Sequence, residues 1–131
     1  MPPLPAVWYS YAVVRIVPRV ERGEFLNVGV ILFARTARFL SACIEIDQAR
    51  LHAFAPNLDV ASIERHLQAF VAICEGAAGG GPIARLPLSE RFHWLTAPRS
   101  AVIQTSPVHV GYGDDPRTAL DALCGTLVRL A

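Results

Sequence analysis

The sequence predicts an α+β fold in which an antiparallel sheet of about four strands packs against two main helices. Segments rich in β-branched and aromatic residues come first, and later segments repeat apolar residues at helical spacing. The connections between the first three β segments are too short for the crossovers that parallel strands need. A chain of 131 residues provides one hydrophobic core. We therefore expect residues 1–131 to form a single domain, with residues 1–7 as a loose Pro-rich arm.

A short hairpin loop follows the first predicted strand, and a tight turn precedes the third. Residues 8–17 form the first strand, and the loop 19–24 follows. Gly23 lies in this loop and is suited to a positive φ. Residues 38–46 form the third strand, which is apolar on one face only, so we expect it to be half exposed. The three strands together form an antiparallel meander.

The second predicted strand, residues 25–33, is apolar on both faces. This pattern is typical of a central strand that is covered on both sides. Gly29 inside it indicates a bulge or a close approach of the backbone. Simple alternation places Asn27 and Gly29 on the face that carries Ile31 and Phe33.

Helical patterns follow the meander. A short helical turn is predicted over 47–54, and a long helix over 60–75 with Asp59 as N-cap and Gly76 as its end. Residues 77–81 are predicted to be a flexible loop. The apolar stripe of the long helix is Ile63, Leu67, Phe70, Val71 and Cys74.

The remaining elements are shorter. Ser89 is predicted to cap a helix over 90–95. Residues 100–110 read as a strand that Pro107 interrupts, so we expect an edge or bent strand. Asp115 and Pro116 begin a last helix. Its apolar face carries Leu120, Leu123, Leu127 and Leu130.

Composition excludes several functional classes. All twelve basic residues are arginine, which excludes Schiff-base chemistry, P-loop and kinase-type ATP lysines and Ser–Lys dyads. A net charge of +1 gives no indication of nucleic acid or of an anionic membrane. No apolar run is long enough to span a membrane, and no signal peptide is recognisable. We therefore expect a cytoplasmic protein with no cofactor.

The cysteines and histidines show no metal-binding spacing. Cys43, Cys74 and Cys124 are far apart and flanked by apolar residues, so we expect three reduced, buried thiols. The four histidines form no HxxxH or HExxH pair. Glu45 and Asp47 share one strand face and give only a weak indication of a metal pair. We therefore expect no metal site.

Polar residues that local structure does not require collect in two segments. One surrounds the first hairpin and the other follows the third predicted helix. The candidate binding residues are Arg15, Arg22, Glu24, Asn27, Arg99, Ser100, Gln104, Ser106 and His109. Arginine binds carboxylate or phosphate groups, and the serines, amides and histidine supply neutral donors and acceptors. We expect the two segments to meet in one shallow polar pocket.

The same residues have structural explanations. Arg15, Arg22 and Glu24 fit an ion pair that locks the hairpin, and the second segment fits a solvated strand face. A catalytic interpretation is weaker. Pro107 separates Ser106 from His109, and no carboxylate nearby in sequence orients the histidine as a triad requires.

Two motifs resemble a known family. Residues 14–18 followed by 22–33, and the later runs 90–95, 98–100 and 104–109, resemble the signatures of the bacterial domain-of-unknown-function family numbered three thousand and thirty-seven. The resemblance covers residues 8–130. It implies a small stand-alone protein without assigned activity, often encoded beside a HipA-like kinase, and hence a protein partner.

Three functions compete at this point. A binding or partner module, working with a HipA-like kinase or another protein, is the preferred interpretation. An enzyme acting on a phosphorylated or nucleic-acid substrate would use Arg22, Glu24 and His109, and we favour it less. A structural homodimer subunit is the third. High apolar content favours the first and third, with the strand 38–46 and the terminal helix as candidate contact surfaces.

Overall fold

The computed structural model describes residues 6–129 and confirms the α+β class. Its elements, in chain order, are β1 (Val7–Ile16), β2 (Leu26–Ala34), β3 (Phe39–Ile44), α1 (Gln48–Phe54), α2 (Val60–Glu75), α3 (Leu88–Thr96), β4 (Ile103–Thr105), β5 (His109–Gly113) and α4 (Pro116–Leu127). Residues 1–5 of the predicted arm lie outside the described residues, whereas Val7 already belongs to β1. Within residues 6–129 no helix is long and apolar enough to cross a membrane.

The sheet is antiparallel and has the order β3-β2-β1, with β4 and β5 both on the outer side of β1. The C-terminal end of β1 pairs with β4, and its N-terminal half pairs with β5. The meander and the central position of β2 are confirmed. The predicted strand 100–110 becomes these two edge strands, and Pro107 lies in the break between them, because a proline cannot donate to the ladder.

Helices cover both faces of the sheet. One core lies between the sheet and α1, α2 and α3, and a single buried cluster there contains Ile31, Phe33, Leu67 and Phe92. A smaller core lies on the opposite face. The residues at its centre, on β2 and α4, are Val30, Leu32, Leu120, Cys124 and Val128.

A β-bulge in β2 changes the face on which Asn27 lies. Val14 of β1 is opposite Gly29, and the next residue, Arg15, is opposite Asn27, so β2 carries one extra residue at Val28. Leu26 and Val28 therefore belong to the same core as Ile31 and Phe33. The prediction that Asn27 shares the face of Ile31 and Phe33 is wrong, because the bulge shifts the alternation by one residue.

Glycine is required at position 29 because β3 approaches β2 closely there. A Cβ atom at this position would lie 2.5 Å from the Cys43 carbonyl oxygen and 2.5 Å from Cδ1 of Ile44. Both atoms belong to β3, which pairs with β2 along its length. The glycine therefore permits the close approach of two neighbouring strands.

Most helix signals are confirmed. The Asp47 and Asp59 side chains accept from the backbone N–H groups of Arg50 and Ser62, and α2 ends at Gly76 with a φ of 67°. Arg91 caps this C-terminus by donating to the carbonyl oxygens of residues 73 and 74.

Three details of the helices differ from the prediction. α3 begins two residues early, after Pro87, without a side-chain cap from Ser89. Residues 78–85 form 3₁₀ turns rather than a flexible loop. The buried stripe of α2 contains Ile73 and does not contain Val71. Leu130 lies outside the described residues.

Gly29→Ala should lower the free energy of unfolding by more than about 2 kcal/mol, since the added methyl group overlaps backbone that cannot move aside cheaply. Gly79→Ala is the matched control, because its Cβ would meet only the Ala72 side chain at 3.8 Å. We expect this control to change stability by less than about 1 kcal/mol. Urea denaturation measures both. Equal effects of the two substitutions would contradict the close approach at Gly29.

Candidate functional site

Arg22 and Glu24 line a cleft between the β1–β2 loop and the segment that joins α1 to α2. The cleft has a volume of about 630 Å³, and Phe54 and Pro56 form part of its wall. Arg22 donates to the Glu24 carboxylate. This hydrogen bond lowers the pKa of Glu24 and raises that of Arg22. The cleft is therefore lined by a charge pair that is already neutralised.

Arg15, Asn27 and Gln104 form a row across three neighbouring strands. Arg15 is opposite Asn27 on one side and Gln104 on the other. Its guanidinium carbon lies 3.9 Å from the centre of the Phe25 ring, and burial lowers its pKa. The Arg15 Nε and the Asn27 Oδ1 are buried and have no hydrogen-bond partner among residues 6–129. This row is the part of the predicted pocket that the structure brings together.

The other polar groups of this row bond to the main chain. Asn27 Nδ2 donates to the Leu127 carbonyl oxygen at 3.1 Å, at the end of α4. Gln104 Nε2 donates to the Ala101 carbonyl oxygen at 2.8 Å. Both amides therefore hold backbone segments in place, while the buried Asn27 Oδ1 accepts no hydrogen bond within residues 6–129.

Ser106 is buried at the junction of β4 and β5. Its relative exposure is 3%, and its Oγ accepts from the Val13 N–H at 2.8 Å. The same hydroxyl donates to the Pro107 carbonyl oxygen, and the Ser106 N–H donates to the Val13 carbonyl oxygen. The side chain replaces the ladder bonds that the proline interrupts, so its place in the structure is architectural.

Arg99, Ser100 and His109 lie in three different surroundings. Arg99 donates to the Trp94 carbonyl oxygen, and its guanidinium carbon is 4.7 Å from the centre of the Trp94 ring. Ser100 is exposed in a bend. His109 is opposite Tyr11 on β1, with the two ring centres 5.4 Å apart.

The nine predicted residues therefore do not share one pocket. Asn27 lines a cleft with Glu45 and Arg129, whereas Arg99 and Gln104 line another next to α2 and α3. The catalytic alternative needed Arg22, Glu24 and His109 together. His109 is opposite Tyr11, which lies five residues before the end of β1, whereas Arg22 and Glu24 lie in the loop that follows that end. Five residues of strand span about 17 Å, at about 3.3–3.4 Å per residue. The structure keeps Arg22 and Glu24 together and separates His109 from them.

Sequence reasoning missed the cluster that attaches α4 to the sheet. Cys43 of β3 and Cys124 of α4 form a disulfide across 81 residues of sequence, so the prediction of three reduced thiols is corrected. Spacing gave no signal, because only the packing of α4 on β3 brings the two together. Arg129 also donates to both carboxylate oxygens of Glu45, at 2.7 Å each, and this contact lowers the pKa of Glu45.

Cys74 matches the prediction of a buried thiol. It is free and lies in the core between α2 and the sheet. Burial raises its pKa to about 12. A thiol with such a pKa stays protonated at neutral pH and is unreactive.

The second missed feature is an exposed apolar surface at the end of the sheet that α2 and α3 leave uncovered. Trp8, Val110 and Tyr112, the β5 edge surface, have relative exposures of 67%, 66% and 58%. Trp8 is opposite Tyr112, with ring centres 4.8 Å apart. Alternation along residues 108–112 was a usable signal, but the predicted strand ended at Val110.

The opposite face of this edge is also aromatic. A Cβ atom at Gly111 would lie within 2.5 Å of the Tyr9 ring, so the glycine allows this ring to lie across β5. Tyr11 follows on the same face, with its ring centre 6.1 Å from that of Tyr9. Gly111 and Tyr9 together keep β5 closely packed against β1.

Comparison with known proteins gives one match. The family model described as "Protein of unknown function (DUF3037)" matches residues 11–128, which is nearly the whole chain. No curated protein and no solved structure matches the chain.

Ser106→Ala should lower the free energy of unfolding by about 1–3 kcal/mol, because the buried Val13 N–H loses its acceptor. Ser100→Ala is the control at an exposed position and should change stability by less than about 0.5 kcal/mol. Thermal and urea unfolding of the two variants measure the difference. If Ser106→Ala were as stable as wild type, the architectural role of this hydroxyl would be wrong.

Proposed function

We propose that this chain, which belongs to the DUF3037 family, is a small protein-binding module that uses the β5 edge surface. The single observation that carries the proposal is the exposure of Trp8, Val110 and Tyr112 on one face of an edge strand. Tryptophan and tyrosine are enriched at protein interfaces, where they supply most of the binding energy.

The backbone of β5 adds a second attraction for a partner. Within residues 6–129 β5 pairs with β1 alone, so its outer N–H and C=O groups are unpaired by any strand. Residues 109–113 contain no Asp, Glu, Lys or Arg. Edge strands are normally protected by such charges, by proline or by a bulge. Pro107 protects only the junction with β4.

The mode of binding that fits these features is strand addition. A partner segment in extended conformation would form main-chain hydrogen bonds along β5, and its apolar side chains would contact Trp8 and Tyr112. Both surfaces that the sequence predicted for contacts are less suitable. The apolar face of α4 is used against β2 and β3, and β3 is partly covered by α2 and α4.

A ligand pocket or an enzyme is less well supported. The arginines of the cleft at the hairpin, Arg19 and Arg22, each lie beside a glutamate. An anionic ligand would have to displace these carboxylates. In the catalytic alternative, His109 lies apart from Arg22 and Glu24, as described above.

The proposed partner is a HipA-like kinase, which the family resemblance implies, and the proposed location is the cytoplasm. A homodimer through the same surface is the competing outcome. Self-association would also bury Trp8 and Tyr112, so the experiment has to separate the two.

Val110→Lys should abolish co-purification of the proposed partner, a HipA-like kinase, because a charge placed on the β5 edge surface opposes both burial and strand pairing. Gln68→Lys, on the exposed face of α2, adds the same charge elsewhere and should leave binding unchanged. The melting temperatures of both variants should stay within about 2 °C of wild type. Co-expression with the tagged kinase measures binding, and analytical ultracentrifugation measures self-association.

Capture by wild type and Gln68→Lys, but not by Val110→Lys, supports the proposal. Equal capture by all three proteins would show that the kinase does not bind at β5 and would contradict the proposal. A wild-type dimer that Val110→Lys dissociates assigns the surface to self-association instead. A monomer that captures no kinase contradicts the proposal.

A further inference from the structure

We propose that the reduced Cys43–Cys124 pair and Glu45 form a binding site for a thiophilic divalent cation such as Zn²⁺. The supporting geometry is a cluster in which one ligand atom from each of the three residues lies within 4.8 Å of the other two. This inference does not depend on the proposed binding at β5. It concerns the opposite edge of the sheet.

Two of the three ligands are positioned by one strand. Cys43 is in β3, and Glu45 follows two residues later on the same face. The Glu45 N–H donates to the Val28 carbonyl oxygen at 2.7 Å, so the backbone at this position remains paired with β2. Cys124 comes from α4, where it is fully buried. β3, the residue that directly follows it, and α4 therefore hold the three ligands.

The ligand types suit zinc-like cations. Zn²⁺ binds thiolates at about 2.3 Å and carboxylate oxygens at about 2.0–2.2 Å in tetrahedral geometry. Tetrahedral ligands at these distances are about 3.5–3.8 Å from one another. Reduction frees the two sulfur atoms to separate by this amount, and the cluster is already close to the size required.

Arg129 supplies the outer contact that a carboxylate ligand needs. It binds both oxygens of Glu45. One oxygen can turn to the cation while the other stays with the guanidinium, which fixes the carboxylate.

Asn27 provides the independent second observation. Its Oδ1 is buried and has no hydrogen-bond partner in the part of the chain that the structure describes, and the side chain lines the same cleft as Glu45 and Arg129. A buried acceptor without a donor is unusual. We infer that a water molecule in this cleft, on the Glu45 side of the site, donates to this acceptor.

Reduction of the Cys43–Cys124 disulfide needs only low-molecular-weight thiols as the reductant. Two low-molecular-weight thiols reduce the disulfide, giving two electrons and two protons to the cysteines and forming their own disulfide. Cation binding then releases the two thiol protons to solvent. The disulfide and the cation therefore exclude each other, and the site binds only in the reduced protein.

Cobalt(II) binding by the full chain tests the proposal. The protein is reduced with a phosphine, and the thiolate-to-cobalt absorption band is titrated in wild type, Cys43→Ala, Glu45→Gln and Cys74→Ala. Cys74 is the matched control because it is a buried thiol in the other core. Circular dichroism of each reduced, cobalt-free variant establishes that it is folded before titration.

We expect one cobalt per reduced chain, none in the oxidised protein, loss of the band in Cys43→Ala and no change in Cys74→Ala. Glu45→Gln should weaken binding about 10-fold or more. Excess Zn²⁺ should displace the cobalt. A reduced wild type without the band, or a folded Cys43→Ala that keeps it, would overturn the site. Unchanged binding by Glu45→Gln would remove the carboxylate from the proposal and contradict it as stated.

Discussion

The bulge at Val28 and Gly29 is the constraint on which the rest of the structure depends. By adding one residue to β2, it allows Leu26 and Val28 to point into the same core as Ile31 and Phe33. Asn27 is thereby turned to the opposite face, where it bonds to the end of α4. Without this shift the apolar and polar residues of β2 would face the wrong layers, because strand alternation has a period of two.

The two helical layers cover the sheet unequally, and this determines which surfaces are available. On one face α2 and α3 contact β2, β3 and β4, beside the C-terminal half of β1, and on the other face α4 lies over β2 and β3. The other end, formed by the start of β1 and β5, has Trp8 and Tyr112 exposed. At the opposite edge, the disulfide and the Glu45–Arg129 pair hold α4. The proposed protein contact and the proposed cation site therefore occupy different edges.

Local patterns predicted the elements well, whereas contacts between distant segments escaped them. Asp59 and Gly76 bounded α2 correctly because capping depends on residues within a turn. The proximity of Cys43 and Cys124 depends on where α4 packs, which no local spacing encodes. Gly29 signalled a bulge or close approach, and both occur there. The sequence could not show how many residues the bulge adds, so the orientation of Asn27 was predicted wrongly.

The orientation of Asn27 tests the central claim most directly. The measurement is a set of nuclear Overhauser contacts from the Asn27 side-chain amide protons in isotopically labelled protein. The bulge predicts contacts to Leu127 and Val128 of the C-terminal segment, because Nδ2 lies 3.1 Å from the Leu127 carbonyl oxygen. Contacts to Leu67 or Phe92 in the other core would place Asn27 on the opposite face and contradict the account.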